Sequence, residues 1–296
     1  MNPIKGSFRN NTLTSALCGV MAIIIWAFSP ALIKINGTKV GMSEFLFARY
    51  FICFFLFSPI INTLWKKRHG ITLKNWAIFF ISITIHIFLQ LYCLRFIPVS
   101  WYVVIFSSCP FFTLIMLRVN LSYGMCFCIM LAILGTIVFI NPTKLVYFPP
   151  MYAVSAAIGT SIAWAVFTVK IVAFQAVYTH FEISGLSTLF SFISSIFFIL
   201  VAGLNFSAFS SSMLISTTIL AICMPLAFVL FSICLRRLPI FAVTSQYLEL
   251  VLGVGIGVIF FQEKFTLFQL IGSLMVLSAI LLASKIECTE PYILQV

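Results

Sequence analysis

The chain is a succession of long apolar stretches separated by short polar connections. Most stretches are long enough for an α-helix to cross the roughly 30 Å hydrocarbon core of a bilayer, which takes about 20 residues. The period-two alternation that membrane β-barrels show is absent. The sequence therefore predicts an all-α integral membrane protein with ten transmembrane helices. The ten stretches are 14–33, 45–65, 76–94, 98–117, 121–141, 151–173, 183–204, 213–235, 239–261 and 266–284.

Composition supports the membrane interpretation. Of the 296 residues, 62% are hydrophobic and 8% are charged, and none is Asp. A globular protein of this size could not keep so much apolar surface away from water. The net charge of +11 comes from basic residues at the ends of apolar stretches rather than from one basic face, so no nucleic-acid partner is expected. The nine Cys form no Cys-x-x-Cys pair, and neither a metal nor a cofactor is predicted.

Lys and Arg in the connections predict the orientation, because these residues concentrate on the cytoplasmic side of a membrane. With a cytoplasmic N-terminus, eleven basic residues fall inside and five outside. The Lys66-Lys67-Arg68 cluster after the second stretch is the largest inner group. Both termini, residues 1–13 and 285–296, are therefore expected in the cytoplasm.

The two halves of the chain, residues 14–141 and 151–284, repeat each other. Three segments match in register: Trp26-Ala27 with Trp164-Ala165, 44–49 with 182–187, and 94–98 with 235–239. Each half holds five stretches, an odd number, so the second half must enter the membrane in the opposite direction. Inverted five-helix repeats around a midplane site are typical of secondary transporters.

Glu249 is the strongest candidate for a functional residue, because it lies near the middle of the ninth stretch. A charge at the bilayer centre costs at least about 2.5–3.5 kcal/mol and usually faces a cavity or a partner. On a continuous helix Gln246, Glu249, Gly253 and Gly257 share one face, where the glycines let a neighbouring helix approach. Glu249 could bind a substrate cation or a coupling proton, or it could only tie helix nine to a neighbour through Gln246.

Arg49, His86 and Gln90 are further polar candidates inside apolar stretches. Arg49 lies about one turn inside the second stretch, where it could extend to the interface or bind a substrate carboxylate in a cavity. His86 and Gln90 stand four residues apart on one face of the third stretch. His86 could relay protons near neutral pH, or it could only be hydrogen-bonded between helices.

Aromatic and proline residues complete the predicted site. Trp26 and Trp164 occupy equivalent positions of the two repeats and could stack on a planar substrate group or lie at the membrane interface. Pro30 and Pro110 interrupt their helices, and each could act as a hinge or leave a carbonyl open to a cavity.

Three motifs resemble EamA-type members of the drug/metabolite transporter superfamily, and the resemblance covers essentially the whole chain. They are Trp26-Ala27 in the first helix, the segment from Glu44 to Arg49 entering the second, and Leu248-Glu249 followed by Gln262-Glu263-Lys264-Phe265-Thr266. Many members have Pro directly after the Glu, where this chain has Leu250. The string Tyr247-Leu-Glu-Leu-Val251 is similar to the S-adenosylmethionine transporters of obligate intracellular bacteria. That likeness implies a substrate and adds Tyr247 to the candidate site.

Together these observations predict a secondary transporter that moves a small organic metabolite across a bacterial inner membrane by alternating access. The leading substrate is S-adenosylmethionine exchanged for S-adenosylhomocysteine: Glu249 would meet the sulfonium or amino group and Arg49 the carboxylate. An amino-acid or general metabolite exporter of the same superfamily is the alternative. A membrane-embedded lipid-modifying enzyme is more remote, because the sequence shows no catalytic constellation. The expected partners are the substrate and the lipid bilayer, and a homodimer is left open.

Overall fold

The computed structural model describes residues 4–117, 122–140, 150–202, 211–261 and 266–289, and within these ranges the chain is helical without any β-strand. The outermost residues of the predicted cytoplasmic ends, 1–3 and 290–296, and the motif residues 262–265 lie outside them. The helices are α1 Ile4–Ala27, α2 Ser29–Val40, α3 Met42–Phe57, α4 Ile61–Lys67, α5 Leu73–Phe96, α6 Val99–Phe106, α7 Cys109–Met116, α8 Tyr123–Ile140, α9 Met151–Phe174, α10 His180–Ala202, α11 Ser211–Arg237, α12 Pro239–Thr244, α13 Tyr247–Phe261 and α14 Leu267–Thr289.

By length and composition, seven helical segments of the described chain could cross a membrane. The prediction of an all-α membrane protein is thereby confirmed. Three further apolar segments are shorter: Trp101–Met116, Tyr123–Phe139 and Leu267–Ala283. The seven are Thr12–Asn36, Ser43–Gly70, Leu73–Phe96, Met151–Phe174, His180–Leu200, Leu214–Arg237 and Pro239–Phe260.

The first and fourth apolar stretches are each broken into two helices beside a proline. Pro30 is the second residue of α2, and Pro110 is the second residue of α7. A proline has no N–H to donate to the carbonyl four residues earlier, and its ring crowds that carbonyl. The carbonyls concerned belong to Trp26 and Phe106. The helix breaks therefore lie beside the prolines, as predicted: Pro30 is two residues after Phe28, and Pro110 is two residues after Ser108.

The ninth stretch is also broken, between α12 and α13, although no proline lies there. Ser245 and Gln246 separate the two helices, and the Ser245 hydroxyl donates to the carbonyl of Ala242 at 3.0 Å. A serine that bonds to its own backbone in this way offers the chain an alternative to the helix. The expectation that Gln246 and Glu249 share a face of one continuous helix was wrong, because Gln246 precedes the first residue of α13. Ser107, at the break between α6 and α7, is the repeat equivalent of Ser245. The sequence offset between these two serines is the same as that between Trp26 and Trp164.

Helix pairing reflects a two-fold relation between the halves. The third helix of the first half, α5, packs on the first of the second half, α9, and α1 packs in the same way on α11. Helices α8 and α14, which end the two halves, pack on each other, as do α3 and α10. The α8–α14 contact is closest at two glycines: a Cβ on Gly272 would lie 2.5 Å from the carbonyl oxygen of Gly135. Small residues allow this approach of two helix backbones.

One end of the bundle is closed by polar contacts between the halves. We call it the basic end, because Lys67, Lys170 and Arg237 lie there. Lys67 Nζ lies 2.7 Å from Glu182 Oε1 and 2.9 Å from Oε2, and Lys170 Nζ donates to Asn75 Oδ1 at 2.9 Å. Each contact joins a residue of the first half to one of the second. At the opposite end Ser216 donates to Asn36 Oδ1 at 3.2 Å, again between the halves.

A layer of buried rings lies between the basic end and the centre of the bundle. Phe79 stacks on Phe174 at 4.5 Å between ring centroids and contacts Phe167 at 4.8 Å. All three rings are fully buried. Trp76 meets Phe174 edge to face at 5.0 Å. This layer, with the polar contacts beyond it, separates the interior from the basic end.

Candidate functional site

A cavity of about 60 Å³ lies between the two halves, on the other side of this ring layer. Helices α1, α2, α3, α5 and α6 of the first half contribute to its wall, as do α9, α11 and α13 of the second. Pockets that hold small molecules usually measure roughly 300–1,000 Å³. The cavity therefore has room for a few water molecules in this conformation, and the bundle must open to admit a metabolite. Its polar lining consists of Ser29, Arg49, Tyr50, His86, Gln90 and Glu249.

Arg49 presents a buried guanidinium to this cavity. The residue is only 5% exposed, and its Nη2 donates to the hydroxyl of Tyr50. Its Nε and Nη1 are buried without a hydrogen-bond partner. A buried donor left unpaired costs about 1–3 kcal/mol, and more when it is charged, so native proteins keep few of them. A guanidinium with free donors on a cavity is suited to an anionic ligand such as a carboxylate.

Glu249 brings a carboxyl to the same cavity from the first turn of α13. The residue is 6% exposed, and within the described part of the chain its side chain has neither a hydrogen-bond partner nor an ion-pair partner. Its position at a helix N-terminus favours a negative charge. Arg49 and Glu249 thus line one cavity without pairing with each other. Each is available to an oppositely charged group of a ligand.

Trp26 and Trp164, the repeat-related tryptophans, meet edge to face in the wall, with ring centroids 5.2 Å apart and planes at 87°. Phe228 of α11 contacts both rings, at 5.4 and 5.8 Å. The indole Nε1 of Trp164 is buried and has no hydrogen-bond partner. This part of the wall is therefore aromatic, and the Trp164 indole N–H is left without an acceptor.

His86 and Gln90 line the cavity from α5, as their spacing on one helix face suggests. His86 Nδ1 lies 3.4 Å from the carbonyl oxygen of Thr160, and its ring lies 4.7 Å from that of Trp164. Gln90 Nε2 donates to the hydroxyl of Tyr102 at 2.9 Å. His86 is thus held between α5 and α9, and Gln90 between α5 and α6.

The structure does not bring Gln246 and Tyr247 to the cavity wall. Both are buried at the break between α12 and α13, where Gln246 Oε1 accepts a bond from Cys109 Sγ at 3.6 Å. Gln246 Nε2 and the Tyr247 hydroxyl have no partner. Of the two prolines, Pro30 lines the cavity, whereas Pro110 is buried in α7 outside it.

Several residues of the wall were not among the sequence candidates. Tyr50 follows Arg49 directly, and that adjacency is a signal that could have found it. Phe106 and Phe228 are two of 34 Phe in the chain, and nothing in their local sequence separates them from the rest. Ser29 and Met224 likewise carry no local signal. Their roles follow only from how the helices pack.

A cavity lined by two repeated halves of an all-helical membrane protein is an arrangement found in many secondary transporters. The model of the EamA-like transporter family matches the chain twice, over residues 13–141 and over residues 151–285. The chain belongs to this family and therefore to the drug/metabolite transporter superfamily. Each match covers one half, which confirms the predicted two-repeat organisation.

Solved structures support the same fold. One of them, described only as the crystal structure of a protein, superposes with a TM-score of 0.71 over 92% of this chain and 98% of the other. The two sequences are 17% identical, so this likeness concerns the fold alone. No curated protein matches the chain.

Proposed function

We propose that the protein is a ten-helix secondary transporter that moves a small zwitterionic metabolite across the membrane by alternating access. The observation that carries this proposal is that a guanidinium and a carboxyl group line one cavity wall without pairing with each other. Without a ligand, the buried Arg49 guanidinium leaves two nitrogens without hydrogen bonds, and the Glu249 carboxyl has no partner. Both groups therefore reduce the stability of the empty protein. A ligand with one carboxylate and one cationic group would neutralise both.

S-adenosylmethionine exchanged for S-adenosylhomocysteine is the preferred substrate pair. Its carboxylate would bind Arg49, and its ammonium or sulfonium group would bind Glu249. The adenine would stack on the aromatic wall formed by Trp26, Trp164 and Phe228. This preference rests on that fit and on the Tyr247-Leu-Glu-Leu-Val251 string. An amino acid has the same two charges without the planar group, so an amino-acid or general metabolite exporter is the second candidate.

Alternating access would proceed by opening the two ends in turn. Three of the four α5 residues that line the cavity lie in the second half of this helix, away from the basic end, and the Lys67–Glu182 pair and ring layer close that end. The conformation described here would therefore open toward the opposite end, where the Ser216–Asn36 hydrogen bond between the halves would have to break. We assign the basic end to the cytoplasm of a bacterial inner membrane, with both chain termini on that side. Pro30 and Pro110 would act as hinges, and Glu249 with His86 and Gln90 would carry a coupling proton if the transport is proton-driven.

Uptake of labelled S-adenosylmethionine by cells that express the protein tests the substrate. Unlabelled S-adenosylhomocysteine, methionine and adenosine serve as competitors, because each retains a different part of the molecule. Competition by S-adenosylhomocysteine but not by adenosine alone would support the preferred pair. Competition by many amino acids would favour the exporter. No uptake of any zwitterion by correctly inserted protein would refute the proposal.

Two substitutions test the site itself. Glu249→Gln keeps the size and burial of the side chain and removes the charge, so transport should fall at least tenfold. Glu44→Gln is the matched control, because Glu44 is also buried but does not line the cavity. Arg49→Lys keeps a charge but loses the planar fork, and we expect a higher KM for carboxylate substrates. Full activity in both site variants would mean that these residues only stabilise the fold.

A further inference from the structure

A second and larger concave surface lies outside the candidate site, on the outer surface of the bundle. This groove measures about 570 Å³ and is formed by α5 and α10, with Ser43 of α3 at its edge. Most of its lining is apolar, and Ile85, Phe88 and Phe197 are 43–58% exposed. In a membrane protein such surface meets either lipid chains or another protein.

Arg95 gives the groove one charged end. It lines the groove next to the last residue of α5, it is exposed, and among the described residues it has no hydrogen-bond or ion-pair partner. The nearby carboxyl of Glu44 is buried, accepts a hydrogen bond from Ser43 at 3.1 Å, and forms no ion pair with Arg95. The guanidinium is therefore free to bind an anion at the mouth of an apolar groove.

The length of the groove matches one leaflet of a bilayer. Its lining on α5 runs from Arg95 to Thr84, which is about 16 Å along a helix with a rise of 1.5 Å per residue. Half of a hydrocarbon core of roughly 30 Å is about 15 Å. At the inner end the hydroxyls of Thr84 and Ser194 bond to each other at 2.6 Å, so they do not need a partner from a ligand. A lipid chain would therefore reach from the interface to the midplane.

We propose that the groove is a binding site for one anionic phospholipid, with an acyl chain between α5 and α10 and the phosphate on Arg95. A second copy of the chain fits less well. Two-fold association through the groove would place one concave surface against another and bring the two Arg95 side chains to the same membrane level, where they repel. The free guanidinium of Arg95 can donate two parallel hydrogen bonds to a phosphate group.

Native mass spectrometry of the delipidated, detergent-purified protein tests this site by titration with phosphatidylglycerol or phosphatidylcholine. The wild-type protein should bind one phosphatidylglycerol in preference to phosphatidylcholine. Arg95→Ala should weaken phosphatidylglycerol binding about fivefold, the equivalent of about 1 kcal/mol per basic residue near anionic headgroups, and remove the preference. Lys74→Ala is the matched control, since Lys74 is an exposed cation at the other end of α5.

A second pair of variants tests the apolar part of the groove. Ile85→Trp should fill the space and lower the binding of both lipids at least tenfold. Ile81→Trp serves as its control, because Ile81 is 52% exposed on the same helix but outside the groove. Thermal melting and gel filtration check that every variant is folded. The proposal is overturned if Arg95→Ala keeps the preference, if Ile85→Trp binds like Ile81→Trp, or if an Ile85→Cys variant forms disulfide-linked dimers in membranes.

Discussion

Replacing Gly272 by Ala tests the contact between the last helices of the two halves. A Cβ at this position would lie 2.5 Å from the oxygen of Gly135 and 2.7 Å from the backbone nitrogen of Phe139. Ordinary contacts begin near 3.4 Å, so α8 and α14 must separate by about 0.9 Å. The obstructing atoms belong to a helix backbone and cannot rotate away. A gap of that size forfeits a quarter to a half of the dispersion energy along the contact.

We expect the variant to lose about 3 kcal/mol, the upper part of the usual range of about 1–3 kcal/mol for overpacked sites. This corresponds to a fall in Tm of about 6–12 °C in detergent, at about 2–4 °C per kcal/mol for a chain of this size. Neither α8 nor α14 lines the cavity, so the KM of transport at low temperature should stay within about twofold of the wild-type value. The measurement is a thermal melt monitored by gel filtration.

Two other glycines provide a graded comparison. A Cβ on Gly135 would meet the oxygen of Gly272 at 2.9 Å, so Gly135→Ala should destabilise less than Gly272→Ala. A Cβ on Gly255 would meet nothing within 4 Å, so Gly255→Ala should be neutral or slightly stabilising. The reasoning is refuted if Gly272→Ala and Gly255→Ala melt at the same temperature.

Three further predictions concern the closed end, the cavity wall and the ninth helix. Lys67→Ala and Glu182→Gln should each destabilise the contact that closes the basic end. A double-mutant cycle on thermal stability should give a coupling energy of about 0.2–1 kcal/mol between the two residues. A coupling energy of zero would mean that the pair does not hold this end together. Trp164→Phe removes an unpaired N–H and part of the aromatic contact, so labelled-substrate binding should weaken about fivefold without loss of protein from the membrane. Ser245→Ala should cost about 1 kcal/mol in a thermal melt by leaving a buried carbonyl without its hydroxyl donor, whereas the exposed Ser278→Ala should be neutral.

The polar members of the site were accessible from sequence because a membrane allows so few places for them. Arg49, His86, Gln90 and Glu249 each stand inside an apolar stretch, and the structure brings all four to one cavity. Burying such groups against lipid is costly, so they collect where the helices face each other. The sequence repeat independently indicated that Trp26 and Trp164 occupy equivalent positions in the two halves.

The break in the ninth helix could not be predicted in the same way. Pro110 indicates a break in the fourth helix, because a proline removes one backbone hydrogen bond and crowds a carbonyl, although α11 continues through Pro225. At Ser245 the break depends on a hydroxyl bonding to a carbonyl three residues earlier, a bond that many serines make inside intact helices. Only the surrounding packing decides between the two outcomes. The predicted face shared by Gln246 and Glu249 was wrong for this reason.

The two breaks also differ in how much it would cost to make the helix continuous. A continuous fourth helix would lack one hydrogen bond, since Pro110 has no N–H to offer to Phe106, although α11 continues through Pro225 in spite of the same loss. Nothing covalent prevents α12 and α13 from joining, because every residue from Ile240 to Phe261 can donate a helical hydrogen bond. Joining them would change the rotation of Glu249 about the helix axis relative to α12. The break in the first half is therefore the more costly one to remove, so two halves of common design need not move alike.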